Sequence, residues 1–156
     1  MAEAHDQLIE RFYSAFAAHD GEAMAACYAP DARFSDPVFP DLRGSRPGQM
    51  WKMLTEASDD LRIELLEHEA ADGHGSAHWR AHYTFTQTGR PVVNDVRASF
   101  RFRDGLIAEH RDEFDFHAWA RQALGPVGLL LGWTPIVRSG VRKKAAARLE
   151  SYASSH

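Results

Sequence analysis

The sequence predicts one α+β domain in which a curved antiparallel sheet is wrapped by N-terminal helices and encloses a mostly apolar pocket. Three observations carry this. Apolar residues recur at three- and four-residue spacing near the start of the chain, the period of an amphipathic helix. From Leu61 the period changes to two and stays there to about Phe116, as in strands with one buried face. The resulting order, three helices and then three or four long strands, places helices against one face of an antiparallel sheet.

Residues 3–19 read as the first helix, with Leu8, Ile9, Phe12, Ala15 and Phe16 on one face and Glu10 and Arg11 on the other. His19-Asp20-Gly21 closes it, with Gly21 as cap. Residues 22–28 give a second short helix, stopped before Pro30. Residues 32–43 mix aromatics with Asp36, Pro37, Pro40 and Asp41, the pattern of a short strand running into an irregular loop. Ser45 and Pro47 start a third helix that runs to about Ala57.

In the strand region, Leu61, Ile63 and Leu65 alternate with Arg62 and Glu64. Ala77, Trp79, Ala81, Tyr83 and Phe85 follow, and after a turn at Thr88-Gly89 come Val96, Ala98, Phe100 and Phe102. Asp104-Gly105 is a strong hairpin signal, and the last strand continues to Phe116. Helix resumes near His117 and breaks at Gly125-Pro126. Residues 127–133 are a short apolar segment, and a final helix from Pro135 to Tyr152 carries Arg138, Arg142, Lys143, Lys144 and Arg148. Residues 1–120 thus form the domain, and residues 121–156 a C-terminal helical extension packed on it. That extension has three readings: docked on its own domain with a solvated basic face, laid over the pocket mouth or a partner subunit, or touching an anionic membrane surface. The first is preferred.

A chain of 156 residues buries roughly 70% of its unfolded surface and needs no disulfide or metal to fold. A net charge of -4 argues against a nucleic-acid binder. The single cysteine, Cys27, excludes an internal disulfide and a cysteine-rich zinc site. Met1 to Arg11 lacks a signal-peptide core, and no apolar run approaches the ~20 residues that span a bilayer. The expected location is cytoplasmic.

The last strand is the most informative. One face reads Leu106, Ala108, His110, Asp112, Phe114 and Phe116; the other reads Ile107, Glu109, Arg111, Glu113 and Asp115. The charged face suits solvent and pairs with Arg97, Arg101 and Arg103 across the hairpin. His110 and Asp112 are left among aromatics, where a carboxyl is costly unless paired or useful. Either they bond each other, an arginine or backbone amides and fix the core, or they form an acid/base site. Asn94 and Tyr83 share the inward parity, and Tyr13 points to the pocket or to solvent. Asp36 is either a turn residue before proline or a second acid at the pocket rim. Phe16, Trp51, Trp79, Phe100, Phe114 and Trp119 are the expected apolar lining, and Trp133 is expected to pack with them. His78 and His82 share a face, but with no acidic third ligand nearby no metal is expected.

Tyr28-Ala29-Pro30-Asp31-Ala32-Arg33-Phe34-Ser35-Asp36-Pro37, the helix end His19-Asp20-Gly21 and the hairpin Phe100-Arg101-Phe102-Arg103-Asp104-Gly105-Leu106-Ile107 resemble the nuclear transport factor 2-like superfamily, over roughly residues 5–120. Its members include ketosteroid isomerases, SnoaL-like polyketide cyclases and limonene epoxide hydrolases, and the scaffold also hosts non-catalytic binders. The resemblance implies a cone-shaped, usually dimeric domain with a deep pocket and no cofactor. Asp36 matches the ketosteroid isomerase general base, but Phe12 and Ala98 stand where that enzyme has its two oxyanion donors. Asp112 matches a catalytic aspartate of the epoxide hydrolases, whose Arg-x-Asp on an earlier strand meets Trp79 and Ala81 here. Asp112 also matches the acid/base aspartate of the SnoaL-type cyclases, which is the preferred enzymatic reading. The expected function is cofactor-free acid/base chemistry (cyclisation, isomerisation or hydration) on an apolar or polycyclic ligand, with Asp112 as proton shuttle, His110 its partner and Asp36 a second acid. The alternatives are a non-catalytic binding or interaction module and an epoxide hydrolase-like activity.

Overall fold

A computed structural model describes residues 2–131 and 134–155. The elements are α1 (Ala2–Ala17), α2 (Gly21–Ala25), β1 (Tyr28–Ser35), β2 (Leu42–Arg43), α3 (Arg46–Ala57), β3 (Arg62–Ala71), β4 (His74–Phe85), β5 (Arg90–Arg103), β6 (Leu106–Glu113), α4 (Phe116–Leu124), α5 (Pro126–Leu131) and α6 (Pro135–Ser155). The strands form a six-stranded sheet in the order β2-β1-β6-β5-β4-β3. The architecture is the α+β one that the change of period predicts.

The local chemistry explains the elements. In the β5–β6 hairpin, Asp104 and Gly105 both have positive φ, 54° and 76°, as a type I′ turn requires. Its register sets Arg97 opposite Glu113 and Arg101 opposite Glu109 on the outer face, as the alternation predicts. Arg103 instead meets Leu106 in the ladder and pairs its guanidinium with Asp31. On the inner face Ala98 lies opposite both Ala77 and Asp112. Both alanines belong to the packed core, while Ala81 on the same strand as Ala77 lines the hollow. Bulges at Leu65/Glu67 and Arg101/Phe102 interrupt the register and bend the strands.

Five expectations need correction. The sheet is not wholly antiparallel: β1 runs parallel to β6. Between them the chain passes through α3 and four strands, so no tight turn fixes their relative direction. The second helix stops at Ala25, and the strand after it begins at Tyr28, not near residue 32. Pro30 disfavours helix in the residue before it, and Tyr28 pairs with Ile107. The last strand ends at Glu113 rather than Phe116, because the Asp115 carboxylate caps α4 by accepting from the Ala118 N–H at 3.1 Å. Residues 126–131 are helical, with Pro126 in the first turn where its missing N–H costs nothing. Finally, His78 and His82 do have acids beside them, described below. Trp133 lies outside the described residues.

The core is built from α1 (Leu8, Ile9, Phe12, Phe16), α3 (Met50, Trp51) and the inner face of the sheet. A second cluster of Val92, Phe116, Trp119, Ala120 and Ala123 seals one end. Helix α6 rests on α3 and the loop after β1. Leu149 is buried, Arg46 pairs with Glu150 at 3.0 Å, Arg142 Nε donates to the Pro37 carbonyl at 2.9 Å, and the Tyr152 hydroxyl donates to Glu56 at 3.0 Å. Among the described residues no helix is long and apolar enough to cross a membrane.

Candidate active site

The hollow of the sheet is a cavity of about 430 Å³, within the range that holds a drug-sized ligand. Its walls are Phe16, Trp51, Trp79, Val96, Phe114 and Trp119, with Phe39, Leu54 and Phe85 nearer the rim. Among the polar residues of the lining are Asp36, Tyr83, Asn94 and Asp112. Each is a residue that alternation or the turn signal places inward.

Asp112 is the end of a buried hydrogen-bonded chain. Its Oδ1 lies 2.8 Å from His110 Nε2, the His110 Nδ1 lies 2.7 Å from the Tyr28 hydroxyl, and Trp51 Nε1 donates to that hydroxyl at 2.8 Å. The side chains of His110 and Asp112 are 0% and 2% exposed, so no water supplements these bonds from bulk. An indole can only donate. The Tyr28 oxygen therefore accepts from Trp51 and its O–H donates to Nδ1. His110 in turn carries its proton on Nε2 and donates to the Asp112 carboxylate. Burial holds the Tyr28 phenol well above its ordinary pKa, so it stays a donor. His110 and Asp112 thus bond each other, and Asp112 also lines the cavity. His110 itself stands behind Asp112, packed between Phe34 and Phe100 at ring distances of 4.9 and 4.4 Å.

Asp36 is both turn residue and cavity residue. Its Oδ1 accepts from the Val38 and Phe39 N–H groups at 2.7 and 2.6 Å, closing the turn around Pro37. Its Oδ2 has no bond partner among the described residues and is left for the cavity. Desolvation, helped by the charge of Asp112, pushes its pKa up to about 7, against the two amides and Arg142, which pull it down. Asp36 thus exchanges a proton near neutrality.

Tyr83 brings a phenol to the cavity wall, where Phe12 and Ala98 bring no polar group. Trp119 Nε1 donates to the Tyr83 oxygen at 2.7 Å, which fixes that oxygen as acceptor and leaves its O–H without an acceptor among the described residues. Burial foremost, with the charge of nearby Asp36, raises the pKa of this phenol, so it remains a neutral donor at the cavity wall. Position 12 is filled by a fully buried phenyl ring, edge-on to Tyr28, Trp51 and His110.

Two expected lining residues are not in the wall. Tyr13 and Phe100 lie in the core behind it, 2% and 3% exposed, because α1 and β5 press them against Trp79, Phe102 and each other. The Tyr13 hydroxyl is buried without a partner. On the outer face, His78 bonds Asp95 at 2.7 Å and His82 bonds Glu64 at 2.5 Å. Each histidine thus has its own carboxylate from a neighbouring strand, in separate pairs. Arg80 also points outward, to Asp95. Asp112 has no arginine and no second acid in hydrogen-bonding reach among the described residues, so an epoxide hydrolase constellation is not assembled. The metal-ligand types that cluster among the described residues are Asp6, Glu10 and His68, away from the cavity. There the two carboxylates approach opposite ring nitrogens, at 2.6 and 3.6 Å, as in a bridge tying α1 to β3.

The pairing of Tyr83 with Trp119 and of Tyr28 with His110 was not read from sequence. The partners are 36 and 82 residues apart, and no periodicity links them.

Comparison with known proteins agrees with this geometry. The model of the SnoaL-like domain matches residues 9–110, well over half of the chain. No curated protein sequence matches. Among solved structures, an NTF2-like protein of unknown function from Burkholderia pseudomallei superposes with a TM-score of 0.67 at 19% identity, covering 78% of this chain and 98% of that one. An LEH-like epoxide hydrolase from M. tuberculosis gives 0.66 at 19% identity, covering 87% and 96%. TerC, co-crystallised with polyporic acid, gives 0.64 at 18% identity, covering 74% and 95%. These likenesses are of fold; with the family match they show that the chain belongs to the SnoaL-like family and adopts its NTF2-like cone.

Proposed function

We propose that the protein is a cofactor-free acid/base enzyme acting beside a carbonyl on an apolar, ring-bearing molecule: a cyclisation, isomerisation or hydration. The observation that carries this is two carboxyls of unlike environment in one apolar cavity. Asp112 accepts a proton-donating bond from His110, which suits a carboxylate base. Asp36 is pushed up to about 7 and suits an acid. Asp36, whose proton burial favours, is assigned the acid, and Asp112, which His110 holds, the base. In the proposed step Asp112 takes a proton from the carbon next to the carbonyl. Its electron pair moves into the carbonyl, and the Tyr83 O–H, with protonated Asp36, stabilises the oxyanion. The proton then returns from Asp112 to the same or another carbon, so the enzyme is restored. His110 and Tyr28 are positioning residues that hold Asp112. That a structurally similar protein was crystallised with polyporic acid supports a ring-bearing ligand.

The test is deuterium uptake at C1 of 2-tetralone, a bicyclic ketone, followed by proton NMR in D2O. The proposal expects exchange well above the buffer rate. Exchange at the buffer rate, with the ketone shown to bind, would instead make the protein a non-catalytic binder.

A further inference from the structure

Helix α6 lies outside residues 9–110, the span of the family match, yet it forms part of the cavity rim. Val137, Gly140, Val141, Lys144, Ala145 and Arg148 all line the cavity. Their spacing of three and four residues is that of one helix face. Two of the five basic residues of α6 are engaged elsewhere. Arg138 stacks over the Phe116 ring at 5.1 Å, and Arg142 donates to the Pro37 carbonyl at 2.9 Å. Lys144 and Arg148 make no hydrogen bond or ion pair among the described residues, although Glu150 on the same helix is taken by Arg46. Two like charges four residues apart repel and cost the helix a few tenths of a kcal/mol. Here they sit at the opening of an otherwise apolar cavity, with Val141 and Ala145 directing the stripe inward.

We propose that Lys144 and Arg148 form an anion-recognition site at the rim, so that the ligand of this cavity is an apolar ring system bearing a carboxylate or a similar acidic group. The ring occupies the hollow between Trp51, Trp79 and Trp119, and the anion meets the two cations at the mouth. An arginine and a lysine one turn apart suit a carboxylate, the guanidinium by its planar fork and the ammonium as a point charge. The acidic group meets no cation in the interior, since Lys144 and Arg148 are the basic residues of the described lining. Its orientation therefore leaves the far end of the ring system at the two carboxyls. This inference rests on the cavity being the ligand site and names the class of ligand that the proposed chemistry would act on.

The test compares 2-naphthoate with 2-naphthamide, its neutral isostere, by titration of the intrinsic tryptophan fluorescence. The wild-type protein is expected to bind the acid about tenfold more tightly, a margin of the size charge-assisted bonds at a solvated rim supply. That margin shrinks in high salt. In K144Q/R148Q the ratio falls to about one. In K144E/R148E it inverts, and 2-naphthylmethylammonium becomes the better ligand. Thermal melting confirms that each variant is folded, as expected for exposed positions. Equal affinity of the wild-type protein for acid and amide, failure to bind either, or a preference that survives K144Q/R148Q would overturn the inference. Exchange of neutral 2-tetralone by the wild-type protein is read separately. Anion preference without exchange refutes the chemistry and supports the recognition site; exchange without anion preference does the reverse.

Discussion

Trp51 has a hydrogen to give and no lone pair to offer, and that restriction orients the whole buried chain through Tyr28 and His110 to Asp112. Replacing Tyr28 with Phe leaves the indole N–H and His110 Nδ1 without partners. A stability loss of about 1–3 kcal/mol is expected in urea unfolding, and the ring-nitrogen NMR signals of His110 should report a mixed tautomer where the wild type shows the Nε2–H form alone. For Asp36 the linkage has a definite sign. Its folded pKa, about 7, lies above the ordinary carboxylate value, so the folded state holds the extra proton. Stability is therefore lost as pH rises from about 4 to about 7. Asp36→Asn keeps an acceptor for the Val38 and Phe39 amides but cannot ionise. It should raise the melting temperature at pH 8 and change it little at pH 4. It should also abolish the fall in 2-tetralone exchange that is expected of the wild type above pH 7. Tyr83→Phe removes the proposed oxyanion donor while keeping the ring, and about a 100-fold loss of exchange with little change in ketone affinity is expected.

The strand and the helix differ in how openly they declare their roles. In β6, alternation alone separates His110 and Asp112 from Glu109, Arg111 and Glu113, because one face of an antiparallel ladder is wet and the other dry. Asn94 and Tyr83 were legible for the same reason, and Asp36 from its place before Pro37 in an aromatic-rich loop. Direction was not: β1 runs parallel to β6 through contacts that no turn dictates, and the end of β6 depends on a single capping carboxylate, Asp115. The rim was the least legible part. The cavity stripe of α6 mixes Val137, Gly140, Val141 and Ala145 with Lys144 and Arg148, so it carries no clear apolar period, and only Leu149 on the whole helix is buried. That helix also reaches the chemistry electrostatically. Arg142 pulls the Asp36 pKa down; Arg142→Ala should let it rise, and the high-pH fall in exchange should move to higher pH. An unchanged pH profile in that variant would detach α6 from the site.

At the scale of the molecule, the cone separates two tasks. A mostly apolar inner face carries Ala81 and a few polar groups at the cavity, while ion pairs such as Arg111 with Glu113 and Arg80 with Asp95 occupy the outer face. The helices complete the enclosure and carry the tryptophans that fix the tyrosines. Everything then depends on Asp112 meeting the ligand inside the cavity. Asp112→Asn preserves the shape and an acceptor for His110 but cannot take a proton. The decisive measurement is the 2-tetralone exchange rate of this variant, set beside its melting temperature. The account predicts loss of at least about 100-fold in rate, a typical minimum for removing a positioned base, with melting nearly unchanged. Exchange at the wild-type rate by the folded variant would contradict it.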